Sequence, residues 1–136
     1  MSNYEQLGIE ELWNRVTAVY EKEKPGFKAY LNPAVKMEEV NEIEEKMGFE
    51  LPAQLKELYR CNNGDNENLE GSILGLKFLS LGEMFMNWCD WLYVLKDKKL
   101  MKECEKDAES VPENAIKKVY ANRKWIPLAH DLNGNY

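Results

Sequence analysis

His130 and Asp131 are the residues whose types suggest acid–base chemistry. His130 is the chain's single histidine, and Asp131 follows it directly. An imidazole that a carboxylate orients can act as a general base toward a nucleophile or a metal-bound water. Adjacent residues of a strand point to opposite faces, so this pair would need a bulge to face one substrate. We therefore expect no catalytic residue here, and a small hydrolase using His130 and Asp131 remains only the third alternative.

Other catalytic and metal-binding patterns are missing from the sequence. Cys61, Cys89 and Cys104 form neither a Cys-x-x-Cys pair nor an even set for disulfides. There is no Gly-rich phosphate loop and no Gly-x-Ser-x-Gly elbow. A zinc site would need carboxylates or thiols beside the one histidine, and none cluster at ligand spacing. We therefore predict that the protein is not an enzyme and uses no metal or cofactor.

Acidic residues are concentrated in one part of the chain. The net charge of −6 disfavours nucleic acid or an anionic membrane as the partner. Residues 38–70 hold ten acids and three bases, a net charge of −7, whereas residues 96–124 hold six acids and nine bases, a net charge of +3. An acidic surface attracts a basic protein. We therefore predict that the loop residues Asp65, Glu67 and Glu70 contact a protein partner.

Trp88 and Trp91 are the second group of candidate partner-binding residues. At about 100° per residue they share one face of a helix, while Asp90 points elsewhere. Tryptophan at such a spacing more often belongs to a core, but it is also enriched at the hot spots of protein interfaces.

The spacing of apolar residues predicts helices first and strands mostly later. This order favours an α+β domain in which N-terminal helices pack on a mainly antiparallel sheet. We expect one domain over residues 1–136, with the helix at 8–24 peripheral. After this first helix, which Lys24-Pro25-Gly26 ends, four more are predicted. They are a second from Asn32-Pro33 to Gly48, a third from Leu51-Pro52 to Asn63-Gly64, a fourth capped by Ser80 and Glu83, and an exposed helix or helical insertion at 98–109. The predicted strands are 73–81, as one buried strand or two short ones, 116–120 and 125–129.

The chain ends on a turn pattern. Asn133-Gly134 is the preferred pair of a type I′ hairpin, which makes 125–132 one strand and Asn135-Tyr136 the start of the next. We therefore expect an excerpt of a longer domain, with strand edges exposed near Ile126 and Leu128. A homodimer through such an edge is a further expectation.

No targeting or membrane-spanning pattern is present in the sequence. The first residues have neither a basic region nor an apolar region of a signal peptide, and no apolar run approaches the roughly 20 residues that cross a bilayer. We therefore expect a cytoplasmic protein.

Several short motifs occur in a specific order. They are Gly48-x-x-Leu51-Pro52, Asn63-Gly64, Trp125-Ile126-Pro127 and Asp131-x-x-Gly134-Asn135. In this combination, from about Val35 to the end, the chain resembles the SUKH superfamily. That group includes fungal regulators of cell-wall synthesis and small bacterial immunity proteins that neutralise toxins.

The resemblance implies an α+β fold and a non-catalytic, protein-binding role. It implies most directly an immunity protein for a toxin, often a nuclease; the alternative is an endogenous regulator or scaffold in cell-envelope or stress pathways. The toxins that these proteins neutralise differ widely, so the shared fold alone does not indicate which protein this chain binds. The superfamily pattern normally continues past Gly-Asn into a further strand, an acidic turn and a terminal helix, so we expect this chain to lack the last elements of the domain.

Overall fold

A computed structural model describes residues 7–67, 71–117, 119, 121–131, 133 and 135. In this part of the chain, five α-helices, a short 3-10 helix and two antiparallel strands confirm the predicted α+β class. The elements in order are α1 (Ile9–Glu23), the 3-10 helix (Phe27–Tyr30), α2 (Met37–Met47), α3 (Ala53–Cys61), β1 (Lys77–Phe78), α4 (Leu81–Leu95), α5 (Lys98–Lys106) and β2 (Ala129–His130).

The chain divides into two compact units. The first contains the chain up to Glu83 and again from Leu128, and the second contains Met84–Pro127. The single domain expected over residues 1–136 stays a prediction.

The second predicted helix begins later than the sequence indicated. Asn32 is not its N-cap, because its amide donates to the carbonyl oxygens of Asn63, at 2.9 Å, and Asp65, at 3.3 Å. Helix α2 starts at Met37, where the Glu39 carboxylate accepts the Lys36 backbone N–H at 2.9 Å. Gly48 ends α2 in the left-handed conformation, with φ 80°, as predicted.

The predicted strand over residues 73–81 is interrupted by a tight turn at its start. Ile73 and Leu76 pair as an isolated bridge around Leu74 and Gly75, and regular β1 covers only Lys77–Phe78. Both central residues have positive φ, so the chain reverses where the apolar run suggested extended backbone.

The predicted strands near the end of the chain are also shorter than expected. Strand β2 covers only Ala129–His130, and it pairs antiparallel with β1 through Lys77–His130 and Phe78–Ala129. The Leu128 carbonyl oxygen accepts the Leu79 N–H at 2.9 Å. The described residues of 116–120 form no strand, and Gly134 of the predicted hairpin lies outside the described residues.

Capping explains where α4 and α5 begin. The Ser80 hydroxyl accepts the Glu83 N–H at 3.2 Å, and the Glu83 carboxylate accepts the Ser80 N–H at 2.8 Å. This is the capping box that the sequence predicted. The Asp97 carboxylate accepts the N–H groups of Lys99 and Leu100 and so caps α5.

Three aromatic rings form the centre of the first unit. Phe78 is fully buried and contacts the ring of Trp13 edge-on at 5.7 Å and the ring of Tyr59 face-on at 5.4 Å. The Tyr59 hydroxyl donates to the Leu79 carbonyl oxygen at 3.0 Å. The core therefore joins α1, α3 and β1 through aromatic packing and one buried hydrogen bond.

Within the described ranges, no helix is both long and apolar enough to cross a membrane.

Replacing Tyr59 with phenylalanine tests this core. Burial, followed by the Glu83 carboxylate, raises the pKa of Tyr59 above its ordinary value of 10.0. At pH 7 the Tyr59→Phe variant should lose about 1 kcal/mol, because the Leu79 carbonyl loses its donor. Above pH 10 the unfolded phenol ionises before the folded one, so wild-type stability falls as the pH rises.

The difference between wild type and Tyr59→Phe should therefore shrink between pH 7 and pH 10.5 in urea unfolding. Tyr93→Phe, at a side chain that is 78% exposed, is the control and should match wild type at both pH values. A constant difference for Tyr59→Phe would show that the phenol ionises as easily in the fold as in the unfolded chain.

Candidate partner-binding surface

The turn after α3 is fixed by Asn63 and Gly64. The Asn63 side-chain oxygen accepts the Leu81 N–H at 2.7 Å, and the Gly64 carbonyl accepts the Asn32 N–H at 2.9 Å. Gly64 has φ 75°, and a Cβ built on it would lie 2.5 Å from the Ser80 nitrogen. Only glycine fits this position, because both the backbone conformation and the space exclude a side chain.

Asp65 is buried and organises the loop that follows it. Its side chain is 2% exposed, and its Oδ2 accepts the N–H groups of Ser72 and Phe78, both at 2.9 Å. Its own N–H donates to the Phe78 carbonyl oxygen at 2.8 Å. Among the described residues, its Oδ1 has no hydrogen-bond partner. The expectation that Asp65 contacts a partner does not fit this position, because neither carboxylate oxygen faces solvent.

The exposed acids lie elsewhere in the first unit. Of the described residues 38–67, seven acids and two bases, Lys46 and Arg60, have exposed side chains, which leaves a net exposed charge of −5. The exposed acids are Glu38, Glu39, Glu42, Glu45, Glu50, Glu57 and Glu67. Glu67 was predicted to contact a partner and is exposed, and Glu70 lies outside the described residues.

Three of these acids share one face of α2. Glu38, Glu42 and Glu45 follow the i, i+4, i+7 spacing, and we call them the acidic stripe. Lys46 binds the Glu42 carboxylate at 2.6 Å, and this hydrogen bond lowers the pKa of Glu42. The i, i+4, i+7 spacing of these acids is the sequence signal that places them on one face.

The two tryptophan candidates are not equally accessible. Trp88 is 3% exposed, its indole N–H donates to the Arg123 carbonyl oxygen at 2.7 Å, and its ring stacks near Phe85 at 6.0 Å. It is a core residue of the second unit, so the expectation that it contacts a partner does not fit its position. Trp91 is half-buried.

A cleft of about 540 Å³ lies between α1 and the end of α3. Its lining residues are Gly8, Glu10, Asn14, Glu57, Arg60, Cys61 and Asn62. Burial raises the pKa of the Cys61 thiol, and the Glu10 and Glu57 carboxylates raise it further, while Arg60 lowers it. A nucleophilic cysteine needs the thiolate, which this environment disfavours. The cleft therefore does not favour nucleophilic chemistry at Cys61.

The Asp131 carboxylate accepts hydrogen bonds within its own turn, and the His130 Nδ1 atom contacts the Asp131 backbone oxygen. That carboxylate accepts the backbone N–H groups of Asn133, at 2.8 Å, and Asn135, at 3.0 Å, and the Asn135 side-chain amide at 2.8 Å. The Asn135 side chain, then its backbone N–H, lowers the pKa of Asp131. The Asp131 side chain therefore stabilises this turn. No group of possible metal ligands forms among the described residues.

A model of the SMI1/KNR4 family (SUKH-1) matches residues 34–136. The chain belongs to this family. A glucan synthesis regulatory protein of Neurospora crassa is 25% identical to it over 171 residues, which cover 99% of this chain and 32% of that protein. The chain therefore spans about a third of the length of this relative.

The motif residues of the family resemblance have structural positions in this fold. Gly48 ends α2, Leu51 is 2% exposed, Pro52 precedes α3, and Pro127 is fully buried. Asn63 and Gly64 fix the turn after α3, and Asp131 and Asn135 hold the last described turn. Trp125 is 40% exposed, and Gly134 lies outside the described residues. These motif residues stabilise the fold, so a binding surface would be formed by other residues.

Gly64→Ala should destabilise the protein by about 2–4 kcal/mol, because it adds steric overlap to backbone strain. Gly26→Ala should cost only about 1–2 kcal/mol, since Gly26 has φ 91° but open space around its Cβ position. Gly82→Ala in α4, where space is also open, should be neutral or stabilising. Urea unfolding measures all three, and equal losses for Gly64→Ala and Gly26→Ala would contradict the close approach to residues 78–80.

Glu57→Gln tests the electrostatics of the cleft. Removing this charge should lower the pKa of Cys61 and so speed its alkylation by iodoacetamide at pH 8, measured with Cys89 and Cys104 replaced by serine. Glu50→Gln, an exposed acid outside the cleft lining, is the matched control and should leave the rate unchanged. The cleft geometry is wrong if both variants react at the wild-type rate.

Proposed function

We propose that this chain is a non-catalytic protein-binding module that neutralises a basic toxin domain, as an immunity protein does. The observation that carries the proposal is the exposed charge of −5 over the described residues 38–67. A surface of one sign speeds the encounter with an oppositely charged protein and disfavours wrong partners. Toxin domains that act on nucleic acids carry basic surfaces, because they must bind phosphate.

The state of the titratable groups supports a non-catalytic role. Asp131 is held by three hydrogen bonds of its own turn, and the raised pKa of Cys61 disfavours its thiolate. Cys61 is therefore not an activated nucleophile, and the Asp131 carboxylate is already engaged as a hydrogen-bond acceptor, whereas catalysis needs an activated nucleophile or a proton-transfer group. Binding a protein through a surface needs neither.

A second candidate function is regulation within the producing cell. The similarity to a protein named as a regulator of glucan synthesis favours this alternative. Such a regulator would bind an endogenous protein, and its loss would change the response to cell-wall stress. Both candidates are binding functions, and the identity of the partner separates them.

The proposal is tested with the products of the flanking genes. Each purified product with a basic domain is titrated with the full chain, and its toxicity is measured with and without co-expression of the chain. We expect one product to be toxic, to bind and to be neutralised. If none binds, and deletion of the gene instead alters resistance to cell-wall stress, the regulatory alternative is correct.

Neutralising the acidic stripe should slow association. The triple variant Glu38→Gln, Glu42→Gln, Glu45→Gln should bind the toxin domain about tenfold more slowly at low salt, because steering by the charged surface is weakened. The difference in association rate between the triple variant and wild type should decrease as salt is added, since screening removes the electrostatic steering in wild type as well.

A variant with the same change of net charge is the control for the stripe. Glu103→Gln, Asp107→Asn, Glu109→Gln changes three exposed acids of the second unit. Stopped-flow association of this control should stay within about twofold of wild type. Equal slowing by both triple variants would mean that only the net charge matters and that the acidic stripe is not the contact surface.

A further inference from the structure

Leu74 occupies a turn position that normally excludes leucine. The N–H groups of Ile73 and Leu76 donate to each other's carbonyl oxygens at 3.1 and 2.9 Å around the two central residues. Leu74 has φ 52° and Gly75 has φ 84°, the pattern of a type I′ turn, which prefers Asn-Gly. Leucine is strained in this conformation because its Cβ meets the backbone carbonyl.

Folding buries almost none of this side chain. Leu74 is 92% exposed and Leu76 is 40% exposed, so an apolar tip projects into water. Neither the turn conformation nor core packing accounts for leucine at this position. A residue kept in a strained conformation without benefit to folding points to a role in binding.

The base of this hairpin tip is held by buried hydrogen bonds and close packing. The buried Asp65 carboxylate binds the N–H groups of Ser72 and Phe78 on either side of the tip. Gly71, with φ 121°, packs so closely that an added Cβ would lie 2.5 Å from the Gly75 carbonyl carbon. An apolar side chain on a fixed support loses little conformational entropy when a partner binds it.

The unit that carries the tip has a negative exposed charge. Of the described charged residues in 63–83, Asp65 is buried, Lys77 and Glu83 bind each other at 2.6 Å, and Glu67 is exposed. The exposed side chains of the described residues 38–67, in the same unit, carry a net charge of −5. The tip therefore presents an apolar side chain on a unit whose exposed charge in that segment is negative.

We propose that Leu74 is the apolar anchor of the partner interface and inserts into an apolar pocket with a basic rim on the bound protein. This inference rests on the proposed function and names the contact that determines affinity there. The acidic stripe governs the rate of encounter, and Leu74 governs the lifetime of the complex, because a buried apolar anchor acts mainly on dissociation.

The first test uses Leu74→Asn, which places the preferred residue in the turn. The melting temperature of the full chain should rise by about 2–4 °C, since the backbone strain is relieved. Leu74→Met keeps an apolar side chain and the strain, and should melt like wild type. A fall in melting temperature for Leu74→Asn would show that leucine stabilises the fold and would overturn the inference.

The second test identifies what covers the tip. The photo-reactive residue p-benzoylphenylalanine replaces Leu74, Glu42 or Ile116 in the full chain, which is expressed in the organism that carries the gene. Ile116 is 64% exposed in the second unit and serves as the control. Irradiation at position 74 should capture one basic protein, identified by mass spectrometry, and capture at position 116 should not occur.

The outcomes separate this inference from the proposed function. Capture of a basic protein from position 42 but not from position 74 overturns the anchor and leaves the binding function intact. Capture of a second copy of this chain, or of an acidic protein, from position 74 overturns the inferred partner. Capture from neither position contradicts both proposals. With the captured protein, Leu74→Asn should raise the dissociation rate at least tenfold and Leu74→Met less than threefold.

Discussion

The buried carboxylate of Asp65 is the interaction on which the first unit depends most. It joins a segment that follows α3 to the N–H groups of Ser72 and Phe78, which lie 7 and 13 residues further along the chain. Phe78 in turn carries the ring that contacts Trp13 and Tyr59. One polar group therefore supports both the loop and the aromatic core, and two backbone N–H groups that donate to its Oδ2 atom offset part of the cost of burying it.

This arrangement separates the scaffold from the surface. The motifs shared with the family, such as Asn63-Gly64, fill positions where backbone conformation or close packing allows few residues. The acidic stripe and Leu74 are exposed, so no contact with the core selects their side chains. A scaffold fixed in this way can carry different surfaces, because its stability does not depend on the exposed residues.

Helices and caps could be predicted from the sequence, whereas strands and accessibility could not. The spacing of apolar residues located α1, α3 and α4, and the Ser80–Glu83 capping box was correct, because these signals act within one or two turns of a helix. The start of α2 was wrong because Asn32 binds residues more than 30 positions away. Asp65 looked like a solvent-exposed loop acid for the same reason: its partners are distant in sequence, and local pattern does not reveal them.

Amide hydrogen exchange at Ser72 and Phe78 tests the central role of Asp65 most directly. Ser72 lies outside any regular strand, so its N–H would exchange quickly without the Asp65 carboxylate. We expect both amides to exchange as slowly as those in the middle of α2, and Asp65→Ala to make them exchange far faster. Exchange of Ser72 in the wild type as fast as that of Gly75 at the hairpin tip would contradict the central role of the Asp65 carboxylate.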